Sequence, residues 1–245
     1  LIDALGQTVR SLKQDAPFFK IFTDKGMQSD LSKLAERISG VIETKVQFLG
    51  NHAGRLRSDE VDTISRNIEE LKDIAWCLSK EIRDNVTKTG GLLSLNGDAP
   101  SFAAIQIFKK VNAVLSSIDR LEVRGRDSAG ISLMFILGKE EFRAFNDNLA
   151  KAGLFGDFEE RLGNDVLENR CISVSENNGS SAITLTYKVA AEIGSLGDNV
   201  DFLRRQIKDD DILHINPFSP PISYGSLPYP LGISGCDHRA KLSSC

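Results

Sequence analysis

Thiols and imidazoles are the groups best suited to nucleophilic or metal chemistry, and this chain has few of them. Its cysteines are Cys77, Cys171, Cys236 and Cys245, and its histidines are His52, His214 and His238. Cys236-x-His238 with Cys245 offers zinc-type donors, but the spacing matches no closed four-ligand pattern. Cys77 and Cys171 fall on the border of a helix stripe and at the start of a strand run, where a cysteine packs as a small apolar residue. His52 and His214 stand alone, and no Ser/His/Asp order stands out. Gly90-Gly91 and Asn178-Gly179 lack the spacing of phosphate-cradling loops. Asn85-Val86-Thr87 and Asn178-Gly179-Ser180 are glycosylation triplets, which carry weight only in a secreted protein. No metal and no cofactor are expected. What remains is Arg124-Gly125-Arg126-Asp127, where a glycine supplies a turn and the flanking Arg124 and Asp127 can orient each other and nearby backbone. By residue type alone, this is a helix-to-strand connection with a surface ion pair.

The elements around that turn follow from periodicity. From Leu1 to about Leu121 the chain reads as helices. Asp30 is expected to cap a segment whose face is Leu31, Leu34, Ala35, Ile38, Val41 and Ile42. A second opens near Ser58-Asp59, with the stripe Val61, Ile64, Ile68, Leu71, Ala75, Leu78 and Ile82 and a charged face of Arg66, Glu69, Lys72, Lys80 and Arg83 in water. Thr89-Gly90-Gly91 and Asn96-Gly97-Asp98-Ala99-Pro100 punctuate the chain. A third helix is expected from Ser101, through Phe102, Ile105, Phe108, Val111, Leu115 and Ile118. Beyond Gly125 the period changes. Ile131–Leu137 reads as a buried strand, followed by helices at about 140–152 and 158–167. Residues 171–175 and 182–188 form a hairpin. A helix over about 192–207 and a strand at Asp211-Ile212-Leu213-His214 follow. Helices followed by strand, hairpin, helix and strand predict an α+β fold.

Composition narrows the function classes. With 245 residues the chain can bury a sizeable core. Its net charge of −4 gives no electrostatic reason for nucleic acid or an anionic membrane as partner. No apolar run approaches the roughly 18 residues that cross a bilayer. Four scattered cysteines fit a reducing compartment better than a disulfide framework, so a soluble, cytoplasmic protein is expected. The opening LIDALGQ carries neither Met nor a signal-peptide pattern, and is expected to lie inside a longer reading frame.

The turn sits within Leu121–Ile131, LEVRGRDSAGI. This resembles the LEYRGYDSAGI signature of glutamine-dependent fructose-6-phosphate amidotransferases (glucosamine-6-phosphate synthases), in their N-terminal-nucleophile glutaminase half. Nine of eleven positions match, with Val123 and Arg126 standing where the family has tyrosines. The resemblance implies a glutaminase domain of two stacked antiparallel sheets between helical layers, the αββα arrangement, with Arg124, Gly125 and Asp127 buttressing the active site. It implies an N-terminal Cys nucleophile whose α-amino group is the general base. The substrates implied are glutamine here and fructose 6-phosphate on C-terminal sugar-isomerase domains that this chain does not contain. The assignment is then 1–100 helical insert or module, 101–215 partial glutaminase domain, and 216–245 irregular tail. A homo-oligomer is compatible with this reading.

Three elements of the family are missing as written. The chain begins with Leu1 rather than Cys, and neither HTRWA nor an Asn-Ala-His-Pro-like segment occurs. The tail after Asn216 is rich in Pro, Ser and Gly and reads plainly as disordered. Yet if the last two bases of each codon are joined to the first of the next, the codons open to Pro228–Ser244 permit HTRWASVGVITEPNCHP. The tail is therefore expected to be an out-of-frame reading of a glutamine-binding segment. A partial, frameshifted amidotransferase without activity of its own is one function expected. The other is a helical protein-interaction module built on residues 1–88, with no enzymatic activity.

Overall fold

The computed structural model describes residues 1–93, 99–121, 128–165, 168–177, 179–189, 197–215 and 233–234. The chain divides into two compact units, Leu1–Gly90 and Gly91–Cys245.

The first unit is all helix. Its elements are α1 (Ile2–Ser11), α2 (Asp15–Thr23), α3 (Lys25–His52), α4 (Ser58–Trp76) and α5 (Ile82–Gly90), with one π-helical stretch at Cys77–Glu81 between the last two. The stripe predicted from Val61 to Ile82 does face inward, since Ile68, Leu71, Ala75, Leu78 and Ile82 are buried. The π stretch accounts for one irregularity in it. A wider turn shifts the phase of the helix, so the adjacent Cys77 and Leu78 are both buried. The start of α3 corrects the expectation for Asp30. Asp24 is the cap, its carboxylate accepting from the Met27 N–H at 3.1 Å, and α3 runs on from Lys25. Asp30 lies inside the helix, exposed and paired with Lys33 at 3.1 Å. Met27, four residues before Leu31 and packed against the same core, already carries the stripe into this first turn, where Lys25, Gly26 and Gln28 surround it with polar or small residues. The core joins Val9 of α1, Ile21 of α2, Ala35 and Ile38 of α3, and Leu71, Ile74 and Leu78 of the α4 line.

The second unit is α+β, as expected. It comprises α6 (Phe102–Leu121), β1 (Ala129–Gly138), α7 (Lys139–Ala152), α8 (Phe155–Gly163), β2 (Ile172–Asn177), β3 (Ser180–Val189), α9 (Asp198–Lys208), α10 (Asp211–His214) and β4 (Ile233–Ser234). Ser101 caps α6, its hydroxyl accepting from the Ala104 N–H at 3.1 Å. The sheet is antiparallel in the order β2-β3-β1-β4. β3 pairs with β1 over ten residues, from Ala129↔Val189 to Gly138↔Ser180, and with β2 through the hairpin. Gly179, at φ +90°, makes the tight turn of that hairpin at little steric cost.

Two expectations here are corrected. Ile131–Leu137 is buried on one face only. Ile131, Leu133, Phe135 and Leu137 point into the core, whereas Met134 and Ile136 are 39% and 47% exposed. A strand with helices on a single side can bury only alternate residues. Residues 211–214 are a helix, not a strand, because the Asp210 carboxylate accepts from the Ile212 and Leu213 N–H groups and starts a helical turn. The helix expected at 192–207 is described from Asp198 onward, and that expected at 158–167 spans Phe155–Gly163.

Candidate functional site

Arg124, Gly125 and Asp127 lie outside the described residues, as do Cys236, His238 and Cys245. What is described is the frame of the signature: α6 ends at Leu121, and β1 begins at Ala129 after an exposed Ser128. The helix-to-strand change predicted there is present.

Among the described residues, a buried cluster of charge lies elsewhere in the second unit. Asp210, fully buried, accepts from Arg161 in a fork, Nη1 at 2.9 Å and Nη2 at 2.7 Å, and from the Tyr187 hydroxyl at 2.8 Å. The Ile212 N–H adds a bond of 3.1 Å. Arg161 Nε donates to the Arg170 carbonyl at 2.7 Å, and the Arg170 guanidinium stands 4.0 Å from the same carboxylate. Arg170 has φ +61°, a left-handed conformation rare outside glycine. That twist accompanies the turn of its carbonyl toward Arg161. Burial alone would push the Asp210 carboxyl up, but the Arg161 hydrogen bonds and charge outweigh it and hold it below the usual range. Burial and the neighbouring carboxylate push the Tyr187 phenol well up, so it stays protonated. An ionised carboxylate with its lone pairs this fully engaged is a poor base and a poor ligand. The cluster is a latch joining α8, the start of β2, β3 and α10. No motif announced it, although Arg161 follows buried Phe158 by three residues and so sits in an apolar phase of its helix.

The remaining chemical groups also resolve into structure. Burial, then the Glu81 hydrogen bond and charge, pushes the Cys77 thiol up to about 11, so it is protonated at neutral pH. Glu81 is also paired with Lys13 at 3.1 Å. Cys171 is buried beside the latch. His214 stacks on Phe108, ring centroids 5.2 Å apart, and its Nε2 donates to the Ile207 carbonyl at 3.0 Å. Burial lowers its pKa. His52 stacks on Phe48 within α3. Arg204 of α9 donates to the Asn112 side-chain oxygen of α6 at 3.0 Å. Among the described residues no group of His, Cys, Asp and Glu is placed to hold a metal.

Two open clefts are notable. One, of about 340 Å³, lies between α1 and α4 and includes Arg10, Lys13, Asp73 and Trp76. The other, about 640 Å³, lies between α7 and the β2–β3 turn and includes Lys139, Arg143, Glu176 and Ser180. The first also includes Cys77 beside Glu81, but that thiol is held protonated, and the second is lined by no cysteine or histidine. No described helix is long and apolar enough to cross a membrane. No protein-family profile, curated protein or solved structure matches the chain.

Proposed function

We propose that this chain carries part of the glutaminase half of a glutamine-dependent fructose-6-phosphate amidotransferase, and that it is inactive by itself. The observation that carries the reading is LEVRGRDSAGI at Leu121–Ile131. Its placement between the end of α6 and the start of β1 is compatible with it. In the parent enzyme a cysteine thiolate attacks the amide carbon of glutamine, and the tetrahedral oxyanion is held by preorganised donors. Collapse expels ammonia and leaves a thioester, which water cleaves to glutamate. Arg124, Gly125 and Asp127 would buttress that site. The ammonia would pass to fructose 6-phosphate on further domains, in the cytoplasm. Cys77 and Cys171 are interior and buried, so neither supplies a nucleophile with its own α-amino base.

The outer face of the sheet supports the finer reading of an αββα domain. Ser132, Met134 and Ile136 of β1 lie opposite Thr186, Thr184 and Ala182 of β3, and none of these six is charged, whereas Lys188 opposite Gly130 brings a charge to the end of the ladder. Small and apolar side chains of this kind suit a second sheet laid face to face at about 10 Å. The deciding experiment is to sequence the nucleotides of the locus. Codons that spell HTRWAS in the shifted frame from Pro228 support the reading, and codons that forbid that string remove the frameshift from it. In parallel, purified 245-residue chain is expected to release no glutamate from glutamine. Measurable release would overturn the claim of inactivity.

A second reading, a helical interaction module without enzymatic activity, is favoured by one observation. The first unit has its own core, yet Val41, Val46 and Phe48 of α3 are each nearly half exposed. An obligate oligomer on gel filtration of residues 1–100 supports it, and a stable monomer counts against it.

A further inference from the structure

We draw no further inference here: the strongest candidate, the acidic cleft between α1 and α4 with Trp76 at its rim, already receives positive charge from Arg10 and Lys13, and no bound group or buried, unpartnered polar side chain points to a ligand there.

Discussion

The two units are held together in different ways. In the first, the core joining the helices is apolar, with Thr89 of α5 an uncharged polar exception among the buried side chains, and the Lys13–Glu81 pair lies part-way in solvent. In the second, an apolar core surrounds a carboxylate and a guanidinium taken almost wholly out of water. Apolar burial is non-directional and tolerates adjustment, each large side chain contributing about 1.5–3 kcal/mol. A buried ion pair tolerates little, because its worth depends on every partner being in place. The first unit should therefore soften gradually under substitution, and the second should fail at one point.

The sharpest way to break this contrast is Asp210→Ala. It leaves the Arg161 charge buried without its partner and α10 without its cap, and should cost the second unit about 3–5 kcal/mol. Hydrogen exchange read separately over the two units should show the loss confined to residues after Gly91. A uniform loss would mean that the units are one cooperative body. Acid tests the same carboxylate without mutation. Its pKa is depressed on folding, so its stabilisation is present above the unfolded value of about 3.9 and is lost as pH falls through the lower folded value. His214 acts in the same direction at milder pH. Its folded pKa is lowered, so its contribution is full above about 6.5 and declines as pH falls through and below that value. The second unit is thus expected to unfold first in an acid titration followed by exchange. Persistence of the second unit below the pH at which the first melts would contradict the latch.

Leu78→Ala should cost the first unit about 2–5 kcal/mol by opening a cavity beside the π-helical stretch, with the second unit's exchange unchanged. Smaller still is the difference between two aspartates of α3. Asp24→Ala should lower the first unit's stability by about 1 kcal/mol, whereas Asp30→Ala should lower it by less than about 0.5 kcal/mol, as for other exposed pairs. Equal effects in denaturant melts would show that the cap is not where α3 begins.

These contrasts also show what the amino-acid order reveals by itself. Stripes such as Val61–Ile82 and Phe102–Ile118 are legible because they repeat over several turns. The hairpin is legible because Asn178-Gly179 interrupts two alternating runs. The α10 segment is not, since four residues are too few to display a period and its cap is hidden in the run Asp209-Asp210-Asp211. The latch was invisible for another reason. Arg161 and Asp210 are 49 positions apart, and each looks like ordinary surface charge until the fold brings them together. Of the candidate site, LEVRGRDSAGI is legible as a string, but residues 122–127 lie outside the described structure. The roles of Arg124, Gly125 and Asp127 rest on the resemblance.

The ten-residue pairing of β1 with β3 has a consequence for the ribosome. β1 ends at Gly138, and the first partner it meets in that ladder is Ser180. At about 5–20 residues per second, roughly 2–8 s pass between the synthesis of the two. During that interval Ile131-Ser132-Leu133-Met134-Phe135-Ile136-Leu137 has no β3 to pair with. A strand of this composition, waiting alone, is a template for pairing with a neighbouring nascent chain. On a crowded polysome, this wait exposes the segment to pairing between neighbouring chains before its own partner strand exists.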